Sequence, residues 1–213
     1  MVAAVVFDLD GTLVDSRADI VACLTEALAE CGHPTPAPGT IETLIGRPLA
    51  EVIAVCAPTG DVAMLAAGYR RRFALDGLAR TRPFPGVQAQ LARLVTAGVP
   101  LAVATTKTSA AARAVVDGTG LAAYFAHVQG TDGFAAKPAP DVVRHALMGL
   151  GLHDVDPSSC WMVGDTEADI AAGAAAGLRT AAVTHGTHDR ARLLAAGADA
   201  VVDRFDELGA LLA

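Results

Sequence analysis

With 213 residues, 53% of them hydrophobic and 18% charged, the chain has the length of one domain carrying a small insert and the apolar content for a sizeable core. Its net charge of −7, with no basic stripe, excludes nucleic acid as an expected partner. No run approaches the ~20 apolar residues of a membrane span, and the start MVAAVVFDLDG lacks the basic flank of a secretory leader, so a cytoplasmic protein without membrane contact is expected.

A first strand is predicted at 3–7, in the β-branched run that ends at Asp8. From 16 to 80 the pattern turns helical. Helices are predicted at 18–31, with Ile20, Leu24, Ala27 and Leu28 on one face, and at 41–44, 49–56 and 61–75. A Pro/Gly-rich stretch at 33–39 separates the first two, and Arg82-Pro83-Phe84-Pro85-Gly86 reads as a hinge or linker. Beyond it, strands at 99–104, 126–129, 160–163, 180–183 and 200–202 alternate with helices at 87–97, 110–119, 141–150 and 169–176. Such alternation specifies a parallel sheet covered on both faces, with its sites at the carboxyl ends of the strands. The expected class is therefore α/β. It has a Rossmann-like parallel sheet core (1–15 and 82–213) with an inserted small all-helical cap domain (16–81). The cysteines at 23, 31, 56 and 160 lack CxxC spacing and are expected as reduced thiols.

Four segments near predicted strand ends carry candidate chemistry. The first strand runs into Asp8-Leu9-Asp10-Gly11-Thr12. Carboxylates two apart on a strand share a side and repel unless a cation or a proton lies between them; alone, the segment also describes an Asx turn. The strand at 99–104 ends in Thr105-Thr106-Lys107, whose hydroxyls and amides suit a phosphate oxygen but equally suit a helix N-terminus. Lys137 lies between Ala136 and Pro138, where the prolines at 138 and 140 fix the backbone and aim the lysine. The fourth segment, Gly164-Asp165-Thr166-Glu167-Ala168-Asp169, places two carboxylates four apart on one helical face, and either is also an ordinary cap. Together the segments gather Asp8, Asp10, Asp165 and Asp169 with Thr105 and Lys137. Four acids in one pocket call for a hard cation, and oxygen ligands suit magnesium.

In order and spacing these segments resemble the four motifs of the haloacid dehalogenase-like hydrolase superfamily. DLDGT matches its first motif, Thr105 its strand-end Thr/Ser, Lys137 its lysine and GDTEAD its fourth motif. PFPGV, ATTK and AGADAVVDRFDEL look most like the phosphoglycolate phosphatase-like branch, although Thr106 stands where that branch usually has asparagine. The resemblance implies hydrolysis of a small phosphorylated metabolite by a monomer or weak homodimer. Asp8 would be the nucleophile and Asp10 the general acid and base. Magnesium would be held by Asp8, the Asp10 backbone carbonyl and Asp165, with Asp169 behind them on Lys137 or a metal water. Thr105 and Lys137 would serve the phosphoryl group, and Gly11, Thr12, Thr106 and Lys107 would contact substrate. The dehalogenases themselves replace the second aspartate, so Asp10 points to phosphorus chemistry. In the cap, Arg47 of Ile45-Gly46-Arg47-Pro48 is the candidate contact to the leaving group. Arg70, Arg71 and Arg72 read as a solvated face, and Arg113 and His185 as structural or solvated. A β-phosphoglucomutase-like mutase and a degenerate binding module remain as alternatives. A phosphonate hydrolase is disfavoured because 16–80 contains no lysine.

Overall fold

Residues 2–212 are described by a computed structural model. In chain order it contains β1 (Ala4–Phe7), β2 (Val14–Asp15), α1 (Arg17–Glu30), α2 (Leu49–Cys56), α3 (Val62–Asp76), β3 (Arg82–Pro83), α4 (Val87–Thr96), β4 (Leu101–Ala104) and α5 (Ser109–Gly118). There follow β5 (His127–Gln129), α6 (Asp141–Gly149), β6 (Cys160–Gly164), α7 (Glu167–Ala175), β7 (Arg179–Val183), α8 (Arg190–Ala195) and β8 (Ala200–Val202). Six strands form one sheet in the order β5-β4-β1-β6-β7-β8, and every pairing is parallel.

The central strands β1, β4 and β6 are buried at every position because both faces are covered. Val5 and Phe7 of β1 enter one cluster with Val103 and Val163, while Ala4 and Val6 enter another with Met162 and Val142 of α6. Phe7 also stacks on Phe205, with ring centroids 5.9 Å apart; truncating so buried a ring to alanine costs about 3–5 kcal/mol. β1 is central, and the chain continues to β4 on one side and later to β6 on the other. That reversal opens a crevice at the carboxyl end of β1.

Between β1 and β4 the chain leaves the sheet. α1 and α3 pack together with α2 against α3, and Leu24, Leu28, Leu65 and Phe73 bury their seam. Asp61 caps α3 by accepting from the Ala63 and Met64 amides at 2.9 and 3.0 Å, a contribution of about 1 kcal/mol.

The segment read as a hinge is more ordered than that. Arg82 and Pro83 pair antiparallel with Asp15 and Val14, so entry to and exit from the helices form a two-stranded neck. Just above it the buried carboxylate of Asp19 accepts from the Arg80 amide (2.9 Å), the Thr81 amide (2.7 Å) and the Thr81 hydroxyl (2.8 Å). The helix predicted at 41–44 is a single 3-10 turn, Glu42–Leu44. Left-handed glycines at 39 and 46 bracket it, leaving too few residues to propagate an α-helix. α8 has no counterpart among the predicted helices; its six residues make less than two turns. Among the described residues no helix is long and apolar enough to cross a membrane.

Candidate active site

Three neighbouring strands deliver their next residues to one crevice. The Asp8 amide donates to the Val163 carbonyl at 2.9 Å, which continues the β1–β6 ladder and places the Asp8 side chain at the sheet edge. β4 delivers Thr105 and β6 delivers Asp165. From the loop before α6, Lys137 reaches between them. Its Nζ donates to Asp8 Oδ1 (2.6 Å), Asp169 Oδ1 (2.5 Å) and the Ala104 carbonyl (3.0 Å). All these side chains are buried.

The charges do not balance. Burial, then Asp169 and Asp165, drive the Asp8 carboxyl well above the ordinary range despite Lys137. Burial and Asp169 push Asp165 up to about 6, against hydrogen bonds from Thr187 and Thr12. Burial alone would depress the Lys137 ammonium, but Asp169 and Asp8 outweigh it and hold it protonated. Three carboxylates thus share one ammonium, with an oxygen from each of Asp8, Asp165 and Asp169 lying within 4.8 Å of the others. A divalent cation relieves that repulsion, and this all-oxygen donor set fits magnesium.

Within the set Asp169 is already engaged. Oδ1 takes Lys137, and Oδ2 takes the Thr166 amide (3.0 Å) and hydroxyl (2.6 Å) in the capping box that starts α7. Asp8 and Asp165 are therefore the carboxylates suited to hold magnesium, and Asp169 suits the placing of Lys137. The expected metal set also named the backbone carbonyl of Asp10, and its carboxylate is engaged elsewhere. It accepts from Ser16 Oγ and pairs with Lys107 Nζ at 2.7 Å, which leaves Asp10 only its backbone carbonyl for a cation.

Thr12 corrects one expectation. Instead of facing substrate, its side chain is fully buried and Oγ1 donates to Asp165 Oδ1 at 2.8 Å, while the Thr187 amide donates to Oδ2 at 2.7 Å. These two contacts orient Asp165. Gly11 is needed on two counts: its φ is +89°, and a Cβ there would lie 2.3 Å from Asp165 Oδ2. Thr105 Oγ1 accepts from the Lys107 amide at 3.3 Å, which leaves its own O–H free to donate.

The cap closes the crevice from above. Lys107 Nζ lies 4.8 Å from the centroid of the Phe73 ring on α3, and Gly46 rests on Thr166, where a Cβ would approach Cγ2 to 3.0 Å. Between cap and core is a cavity of about 570 Å³ whose lining includes Asp10, Thr106, Lys107 and Arg47. Of the arginine run, Arg70 and Arg71 are exposed, as expected, and Arg72 is half-buried. Arg72 pairs with Glu30 and Glu26 of α1, and Arg70 lines the cavity. His185 sets its Nε2 3.0 Å from the Thr12 carbonyl and packs on Phe84, so it props the loop after β1. Exposed Arg113 reaches only the Val128 carbonyl, at 3.4 Å.

Ser16, Phe73 and Thr187 are site residues that the motifs do not reveal, since each arrives from outside them. Thr166 sits inside GDTEAD, where its capping spacing to Asp169 was the available signal. Lys107 and Lys137 are the only two lysines in the chain, and both lie here.

Comparison with known proteins gives a consistent result. A family model described as haloacid dehalogenase-like hydrolase matches residues 5–183. The chain is 38% identical over 216 residues to the plasmid phosphoglycolate phosphatase of Cupriavidus necator, covering 98% of this chain and 92% of that protein. Among solved structures, a haloacid dehalogenase-like family hydrolase from Streptococcus pneumoniae has a TM-score of 0.89 at 28% identity, covering 100% of this chain and 99% of the other. CbbY from Rhodobacter sphaeroides, crystallised in complex with phosphate, has a TM-score of 0.83 at 27% identity, with coverage of 98% and 97%.

Proposed function

The chain belongs to the haloacid dehalogenase-like hydrolases, and from that premise we propose that it is a magnesium-dependent phosphatase. It would hydrolyse a small phosphate monoester, with phosphoglycolate as the reference substrate, through a phosphoryl group carried on Asp8. The observation that carries this reading is the bridge of Lys137 between Asp8 and Asp169 beside the buried Asp165. It leaves Asp8 Oδ2 free while its other oxygen is held.

In the first half-reaction Asp8 Oδ2 bonds to phosphorus as the bond from phosphorus to the leaving alkoxide breaks. Asp10 gives that alkoxide its proton. In the second half Asp10 takes a proton from water, the water oxygen bonds to phosphorus, and the bond to Asp8 breaks to release phosphate. Lys137 keeps Asp8 oriented and offsets charge on the phosphoryl group, and the Thr105 hydroxyl donates to one of its oxygens. Magnesium, when held by Asp8 and Asp165, supplies positive charge that offsets the repulsion between an anionic nucleophile and an anionic substrate. The Ser16 and Lys107 contacts hold Asp10 toward the cavity, where a leaving alcohol would lie. The likeness to a phosphoglycolate phosphatase supports the choice of reference substrate.

Phosphate release from phosphoglycolate and p-nitrophenyl phosphate, measured with magnesium and with EDTA, tests the reading. Release should need magnesium, vanish with chelator and return on adding magnesium back. Asp8→Asn should show none, and Asp10→Asn should fall by about 10²–10⁴. Release indifferent to chelation removes the metal role, and turnover by Asp8→Asn removes the nucleophile. Phosphoryl transfer within a sugar phosphate, without free phosphate, assigns a phosphomutase instead.

A further inference from the structure

Glycolate uses little of the space above Asp10. The cavity of about 570 Å³ falls within the ~300–1,000 Å³ range of small-molecule pockets. Its walls are apolar. Ile20 and Leu24 of α1, Val52 of α2 and Phe73 of α3 face Ala111 and Ala114 of α5, whose small side chains leave the room open. Polar groups sit at the catalytic end, in Asp10, Thr106 and Lys107, and two exposed arginines, Arg47 and Arg70, also line the cavity, Arg47 following Gly46, which rests on Thr166. Among the described residues neither arginine has a carboxylate partner in an ion pair. Walls of this kind strip water from whatever alcohol lies against them and return no hydrogen bond, so they favour carbon over oxygen.

We infer that the alcohol released by this enzyme is an extended, apolar-bodied one, several carbons longer than glycolate. The inference rests on the phosphatase reading and narrows it. The phosphoryl half of the site stays as described, and the carbon chain lies along α1, α3 and α5.

A homologous series of ω-carboxyalkyl phosphates, running from phosphoglycolate to the six-carbon 6-phosphooxyhexanoate, tests it with magnesium present. kcat/KM should climb by about fourfold per methylene buried, for a gain above a hundredfold across the series. Phosphoglycolate turned over as well as, or better than, the longer esters overturns the inference and leaves the phosphatase reading in place. No release from any ester or from p-nitrophenyl phosphate removes both. Binding supplies a readout without turnover. Calorimetry on the Asp8→Asn protein with the same esters should show affinity rising with chain length and an increasingly negative heat capacity change; affinity flat with length overturns the inference. Ala114→Phe, on the exposed side of α5, should lower the hexanoate-to-glycolate ratio of kcat/KM at least tenfold, and an unchanged ratio counts against the chain path along α5.

Discussion

Lys107 and Asp10 form an ion pair at 2.7 Å, although one follows β4 and the other follows β1. Burial would depress the lysine, but the Asp10 carboxylate outweighs it and raises the ammonium pKa. Phe73 of the cap covers the same ammonium, so one side chain touches the proposed acid/base and the lid together. Asp10 therefore has its orientation set partly by a residue that packs against the cap.

Removing the ammonium should release Asp10 from that orientation. Lys107→Met is expected to lower kcat by about 10–100-fold, part of the range a general acid and base supplies, with a smaller change in KM. Steady-state kinetics on p-nitrophenyl phosphate, which carries no second anion, checks this. A change in KM alone would make Lys107 a substrate contact only.

Gly11 tests the packing beneath Asp165. In Gly11→Ala the new Cβ meets Asp165 Oδ2 at 2.3 Å, so the carboxylate must move. Strain in the left-handed backbone adds only about 1–2 kcal/mol, and the fold should survive with unchanged circular dichroism. kcat/KM should drop at least about a hundredfold, as misplacement near 1 Å does, and half-activation should need more magnesium. Normal magnesium dependence would separate Gly11 from the metal site.

Asp19 clasps the neck, and its effect should depend on pH. Burial raises its carboxyl pKa, but the donors from Thr81 and Arg80 together lower it below the ordinary value. A depressed folded-state pKa contributes stability above the unfolded value of about 3.9 and loses it as pH falls through the folded value. Asp19→Asn should cost about 1.5–3 kcal/mol near neutrality, where donors to a charged acceptor are lost. Urea unfolding at pH 7 and at pH 3 should show that deficit shrinking in acid. An equal deficit at both would mean that the charge is irrelevant.

Arg47 is the cap's candidate for the substrate's second charge. Arg47→Ala should raise KM for phosphoglycolate about tenfold, the scale of one charge-assisted hydrogen bond, and hardly move KM for p-nitrophenyl phosphate. Equal effects would take Arg47 out of specificity.

The sheet was legible because its central strands are short, continuously apolar runs, as Val5–Val6–Phe7 and Trp161–Met162–Val163 illustrate, and burial on both faces explains such runs. Asp8, Asp165, Asp169 and Lys137 were legible because they follow those runs at fixed offsets. What stayed hidden depends on pairing across long separations. Asp19 meets Thr81 across 62 residues, and Thr12 meets Asp165 across 153; no local pattern encodes either. Arg82–Pro83 is too short for periodicity, and its proline suggested a linker when it sits at the edge of a two-stranded ribbon. Arg70 was submerged in a charge run in which Arg72 turns to Glu26 and Glu30 while Arg70 lines the cavity.

That both lysines lie inside the crevice, their side chains only 13% and 2% exposed, means that the rest of the chain offers arginine as its only permanent side-chain cation. Reagents that acylate amines therefore meet no lysine decoys on the surface, and any lysine label they leave reports on the crevice. Slow acylation of Lys107, quicker when the lid opens and blocked by a bound phosphoester, would make this protein its own probe of lid position.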